Sequence, residues 1–381
     1  MKFKPIFIPI LIAFFLLLAS CGEASLAPTP TSSHVVPTDT ATAAVTSTPL
    51  ASATTAPTIT FTPTPPPILL NPSRIINLES VADLELLHSI KLDTESISSI
   101  SFSKDGSLLG ITPGKGEIKL LDVLTLEEID TAVIAEQETQ LFSQTANQIL
   151  AVKNSDDYVE FWDLTTGELL FSFEGRLFPG GPAVSADGNL IALSSVGWPS
   201  RQNIVVWDLS SQKVTQTIYG DWTTDDAHGY PMPSTVFFSP DDSLLVADLP
   251  LYKTIVWATA TWERIAEFEN VSALAFSPDG MTLVAREGDF NLVFYNSSTW
   301  EKIKIIRDTS ARIQTAKFSN DGRLLIAAAR KGETIIWNWE TGTQLRTLPA
   351  TSRFPIVISP DGALLVTYNE SEDEIYFWGV P

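Results

Sequence analysis

The chain has 381 residues, with 24 Lys+Arg against 45 Asp+Glu, and carries a formal charge of −21. Such a balance offers no positive field for a phosphate backbone and excludes a nucleic-acid reader. A single Cys rules out a disulfide framework, and with only three His a Cys/His zinc centre would lack ligands. Length alone, at about 150 residues per domain, suggests two or three domains.

The first 20 residues read as an export signal. Lys2 and Lys4 form a short positive region, and an apolar run follows from Pro5 to Ala19. That run is shorter than the about 20 residues a membrane-spanning helix needs and fits a secretory h-region. It ends in Leu18-Ala19-Ser20-Cys21, which resembles a bacterial lipobox. The resemblance implies cleavage before Cys21 and acylation of that residue. The expected product is an exported protein, lipid-anchored on the extracytoplasmic face of the cell membrane or to the outer membrane.

Residues 21–70 read as a lipid-anchored linker. Positions 22–70 hold nine Pro and thirteen Thr in 49 residues, with no Lys or Arg. A run such as Thr60-Phe61-Thr62-Pro63-Thr64-Pro65-Pro66-Pro67 cannot bury a core. Its prolines lack N–H donors and favour polyproline II, so the sequence predicts a disordered, semi-extended Thr/Pro spacer. Composition leaves glycosylation of its threonines open.

From residue 71 onward the chain repeats. The unit Phe102-Ser103-Lys104-Asp105-Gly106 recurs at Phe276-Ser277-Pro278-Asp279-Gly280, Phe318-Ser319-Asn320-Asp321-Gly322 and Ile358-Ser359-Pro360-Asp361-Gly362. Looser copies start at Phe142, Val184 and Phe238, so seven units follow one another in steps of 40, 42, 54, 38, 42 and 40 residues. Pro presets φ for its turn position, Asp tolerates the bridge region and Gly takes φ > 0, which together make a tight hairpin. About 20 residues on stands a second marker: Trp162-Asp163, Trp207-Asp208, Trp257, Trp337 and Trp378, with Leu121 and Tyr295 in the other two copies. A further β-rich run follows each marker, giving four short strands per unit.

These units resemble the WD-repeat β-propeller family over about residues 80–381. The resemblance implies an all-β fold, a monomeric seven-bladed propeller of four-stranded blades over 71–381. The Gly-His pair of that family is missing, so its buried Asp-His-Ser-Trp network cannot form. Phe and Trp packing between adjacent sheets is expected to hold the blades instead. The chain stops just after Trp378, where a fourth strand is still needed, and residues 85–92 are expected to supply it. That pairing joins the two ends of the domain and leaves no exposed edge.

Function is sought where the repeat is broken. The third unit carries the 54-residue step, with a stretched loop from Ser194 to Gln202 that includes Trp198, and a long linker through Trp222, Asp225, Asp226, His228 and Tyr230. In the WD-repeat arrangement both emerge on one face of the ring, beside Tyr252. These seven residues form the candidate binding face, for a protein, peptide or glycan partner; an insertion that merely packs its own Trp is the plainer alternative. Asp225, Asp226 and His228 are weak as a metal or acid–base cluster. Asp156, Asp157, Glu370, Glu372, Asp373 and Glu374 read as solubilising charge on the same face. Trp262 and Trp300 share an equivalent turn place on the other face and are expected to cover the strand beneath. His88 is expected on an outer strand, exposed.

No Gly-x-Ser-x-Gly elbow, phosphate loop or His-Glu-x-x-His motif occurs. No metal or cofactor is expected. The favoured reading is a non-catalytic interaction platform; the alternatives are a glycan or lactone hydrolase using loop carboxylates and a structural component of the envelope.

Overall fold

Runs of β-branched and aromatic residues, bounded by Ser-x-Asp-Gly turns, pair in chain order as antiparallel ladders. The computed structural model describes residues 70, 72–92, 96–114, 116–130, 134–135, 139–143, 149–155, 158–174, 176–177, 182–197, 201–219, 235–249, 253–307, 309, 311–330, 332–348 and 356–381. All of them lie in the unit Thr64–Pro381. Seven sheets result, and blade 5 shows the plan: Val271–Phe276, Thr282–Glu287, Asn291–Asn296 and Lys302–Ile306 pair in that order, each with the next. The first strand of every blade is the inner one. These are Ile97–Phe102, Gln140–Ser143, Ala183–Val184, Thr235–Phe238, Val271–Phe276, Ile313–Phe318 and Ile356–Ile358. The architecture is an all-β, seven-bladed propeller.

Burial follows from this radial order. A middle strand is covered on both faces by neighbouring blades, so it reads as an unbroken apolar run; all six residues of Leu324–Ala329 are buried. Fourth strands form the rim and alternate, with Leu169–Glu174 having no fully buried residue. The core is split into seven clusters, one in each cleft between adjacent blades. The marker residue of each blade, Leu121 in blade 1 and an aromatic in the others, faces the preceding blade. Trp207 of blade 3 stacks on Phe171 and Phe173 of blade 2, with ring centroids at 5.5 and 4.7 Å. Tyr295 of blade 5 meets Phe268 of blade 4 at 4.7 Å.

The ring closes as the sequence predicts. Glu85–Lys91 pairs antiparallel with Glu374–Gly379, from Glu85 opposite Gly379 to Lys91 opposite Glu374, with a bulge between Leu86 and His88. His88 is half-buried on this strand rather than fully exposed. The closure extends further upstream than the repeat suggests. Ser73 N–H donates to Val380 O at 2.8 Å and Ile76 N–H to Gly362 O at 2.9 Å. Ile76, Val81 and Leu84 are buried in the cleft between blades 6 and 7. Arg346 Nη1 holds the carbonyls of Val81 and Ala82 at 3.1 and 2.8 Å. Residues 73–84 therefore belt the seam that the strand then fills.

Two local features depart from the simple plan. Ser194–Gln202 is mostly strand, not loop: Leu190–Gly197 and Arg201–Asp208 stay paired out to Gly197 opposite Arg201. The hairpin arms keep their ladder partners, and Arg176–Leu177 adds pairing along the far end, opposite Val196 and Ser195. The inserted residues of blade 3 thus lengthen a hairpin. In blade 1 the outer strand shrinks to Glu128–Ile129, and a two-residue ribbon forms between Gly116–Glu117 and Ile134–Ala135.

Candidate functional site

A propeller offers two faces and a central bore, and the turns decide what each presents. One face carries the Ser-x-Asp-Gly turns. In six blades the turn serine is buried and its Oγ donates to the turn aspartate, from 2.8 Å at Ser103–Asp105 to 2.5 Å at Ser277–Asp279. The same Oγ accepts the amide that opens the next strand, as from Leu108 at 2.9 Å and Thr282 at 2.9 Å. The Ser185, Ser239 and Ser277 hydroxyls are the leading reason that Asp187, Asp241 and Asp279 are held below the usual carboxylate range. For Asp105 the amide of Ser107 leads.

Neighbouring turns touch round the ring. A Cβ at Gly106, whose φ is +77°, would stand 3.2 Å from Pro360 Cδ of blade 7. In blade 4 the glycine place is taken by Asp242, at φ 59°. Its carboxylate accepts the amides of Ala186 and Asp187 in blade 3 at 2.6 and 3.0 Å. Lys104 Nζ reaches across from blade 1 to Ala186 O at 3.1 Å. The turn face is thus a linked collar, not a set of free loops.

Trp262 and Trp300 lie on this face at the left-handed position of the turn between third and fourth strands, with φ 59° and 60°. Both are half-buried. Trp300 lies edge-on to Phe268 at 5.8 Å, and Trp262 packs on the cluster between blades 3 and 4. They cover the sheets beneath them, as expected.

The bore is lined by the inner strands. At the position preceding the turn unit stand Ser101, Leu141, Ala183, Phe237, Ala275, Lys317 and Val357, so the ring has one charge at this level. Two cavities of about 480 and 570 Å³ meet there, with Val184, Ala186, Lys317 and Phe318 common to both. Solvent reaches the Lys317 side chain because the bore is open. Protein nevertheless encloses it on the surrounding blades, and that burial pushes its ammonium below the ordinary lysine range. The side chain itself stays exposed to the solvent of the bore, so the shift reflects the protein around the bore and not the absence of water.

On the opposite face, blade 7 contributes Glu370, Glu372, Asp373 and Glu374. Tyr376 O–H donates to Glu372 and accepts from Asn369 Nδ2 at 2.9 Å, while Tyr368 O–H donates to Asp373 at 2.9 Å. Burial, then Glu372, raises the Tyr376 phenol. These carboxylates brace a turn. Among the described residues no group of three or more His, Cys, Asp or Glu could hold a metal ion.

Trp198, Trp222, Asp225, Asp226, His228, Tyr230 and Tyr252 lie outside the described residues, as do Cys21, Asp156 and Asp157. The strands that lead to them are described: Gly197 and Arg201 flank Trp198, and Tyr219 and Thr235 end the strands on either side of the blade 3–4 linker. The two sites that sequence reasoning missed are Lys317 and Asp242. Each was visible as a break in an aligned column, a charge in an uncharged ring and an acid in a glycine place. Comparison with known proteins finds no matching family model and no matching curated relative, so the fold rests on the ring geometry itself.

Proposed function

We propose that this chain is a bacterial lipoprotein whose acylated Cys21 and Thr/Pro linker present a WD-repeat-like propeller as a platform for non-covalent recognition. The observation that carries this reading is the lone cysteine placed at the end of an apolar run and followed directly by a Thr/Pro-rich linker, which ends before the buried Leu70. More than one acyl chain gives stable anchoring where a single chain binds marginally. As a flexible coil, the linker has an r.m.s. reach of roughly 40 Å, enough to hold a folded body clear of lipid headgroups. Recognition is assigned to the face bearing Trp198, Trp222, Tyr230 and Tyr252, where aromatic side chains interrupt an otherwise regular repeat. The partner is a protein, peptide or glycan of the envelope.

Metabolic labelling with a radioactive fatty acid tests the anchor: label is expected in the wild type and absent from Cys21→Ala. Crosslinking in intact envelopes followed by capture tests the platform. A stoichiometric partner lost in the Trp198→Ala/Trp222→Ala double variant supports it. A partner retained by that variant removes the proposed face. Turnover of a glycan or lactone that disappears on Asp225→Asn or Asp226→Asn replaces the platform with a hydrolase.

A further inference from the structure

The bore poses a chemical question of its own, independent of anchor and linker. Lys317 lines both cavities of the bore and is exposed there to channel solvent. Lys317 has no hydrogen bond or ion pair among the described residues, and burial alone accounts for its altered acidity. The six equivalent positions, Ser101, Leu141, Ala183, Phe237, Ala275 and Val357, carry no charge to answer it. No carboxylate lines either cavity; the one other ionisable group is Lys104, in the first. The six turn aspartates keep their charge, each accepting a hydroxyl from the serine of its own turn, and Lys104 acts on Asp187, but none of the six lines either cavity. In a chain of charge −21, this leaves a cavity whose only formal charges are two lysines.

The remaining lining sets the rest of the ligand. Phe102, Phe318, Val357 and Ile358 make the first cavity largely apolar, with Ser101 offering a hydroxyl. A volume of about 480 Å³ falls within the range of small-molecule sites, roughly 300–1,000 Å³. A dianionic phosphate is ordinarily held by arginine forks or by convergent backbone amides, and no arginine lines the cavity. A single negative charge on an apolar body matches what is present.

We propose that the bore at Lys317 is a binding site for a small organic carboxylate, its carboxylate paired with the Lys317 ammonium, its apolar body against Phe102, Phe318 and Val357, and Lys104 adding positive potential at the same cavity. Such a ligand supplies a counter-charge that the lining of neither cavity offers. The first cavity is lined by inner strands and Ser-x-Asp-Gly turns, and none of its lining residues belongs to the recognition face proposed above.

Calorimetric titration of the full-length chain in non-ionic detergent tests this, with phenylacetate as probe and phenylacetamide and inorganic phosphate as comparators. Phenylacetate is expected to bind with one-to-one stoichiometry and phenylacetamide at least about 10-fold more weakly, the discrimination expected for a charge-assisted hydrogen bond. Lys317→Met is expected to weaken phenylacetate about 10- to 100-fold, and Lys317→Arg to retain most of the affinity. A thermal melt of Lys317→Met checks folding; replacing an exposed, unpaired side chain of the bore should leave it within a few degrees of the wild type. Should that variant fail to fold, the wild type decides: phenylacetate is expected to slow reductive methylation of Lys317 relative to Lys302, read by mass spectrometry. The proposal is overturned by phenylacetate affinity unchanged in folded Lys317→Met, by no binding at millimolar phenylacetate, or by no protection of Lys317. Phosphate binding as tightly as phenylacetate overturns the assignment to an organic carboxylate.

Discussion

Within each turn unit the serine Oγ makes two bonds in one small volume, donating to the aspartate two residues on and accepting the amide five residues on. Ser277 is almost wholly buried, so its removal strands the amide of Thr282 without an acceptor. Ser277→Ala is therefore expected to cost about 1–3 kcal/mol at neutral pH, measured by urea denaturation. The cost should shrink in acid. Asp279 has a folded pKa below its ordinary value of 3.8, so its contribution is present above that value and is lost as pH falls through the folded pKa. The same holds for Asp187 and Asp241, and the wild type should lose stability below about pH 4 more steeply than Ser277→Ala does. Asp242 is a second residue-scale case. It sits at φ 59°, a left-handed place that Gly adopts freely and Asp better than most residues, and it makes two amide hydrogen bonds into blade 3. Asp242→Ala keeps the left-handed place and loses both bonds, with an expected cost of about 1–3 kcal/mol. Asp242→Gly adopts that place freely but also loses the bonds, and its melt should lie between the two.

Strands, turns and their order were legible because they depend on local chemistry: alternation or apolar continuity within a run, and φ preferences of Pro, Asp and Gly between runs. The marker aromatics were legible as a column, but the blade that each would touch is a tertiary fact. Trp207 shows the consequence. Its ring is sandwiched against Phe171 and Phe173 of the preceding blade, is 7% exposed, and its Nε1 has no hydrogen-bond partner. The ring is there for area, not for its polar tip. Trp207→Ala is expected to cost about 3–5 kcal/mol, whereas Trp207→Phe should cost well under half of that, since the lost N–H leaves nothing unpaired. Chemical denaturation of both variants separates packing from hydrogen bonding. The reading of 194–202 as loop failed for the converse reason. Gly197 and Pro199 are turn residues by type, and only the cross-strand pairing of Val196 with Gln202 and of Gly197 with Arg201 shows that the hairpin arms continue up to Gly197. Lys317 escaped a motif search because its meaning comes from what six other blades lack at its position.

In a ring every blade needs two neighbours, and the seven inter-blade clusters make the last cleft as important as the first. The clefts flanking blade 7 are completed from the other end of the chain: Leu70, Leu92, Leu87 and Ile90 join the cluster shared with blade 1, and Ile76, Val81 and Leu84 join the one shared with blade 6. No covalent link backs this up, because the only cysteine is Cys21. Pairing of Glu85–Lys91 with Glu374–Gly379 is therefore the latch on which closure depends. Repeat arrays lose cooperativity when a nearest-neighbour interface is removed, because stability is roughly a sum of unit and interface terms. Deleting residues 85–92 opens the outer edge of Glu374–Gly379 and disconnects the belt at 73–84 from its anchor. The expected outcome is a broad or multistep melt in place of a single transition, with concentration-dependent association as the exposed edge finds partners. Differential scanning calorimetry and light scattering on the same sample read both effects, and a single sharp transition at the wild-type temperature would count against closure through this strand.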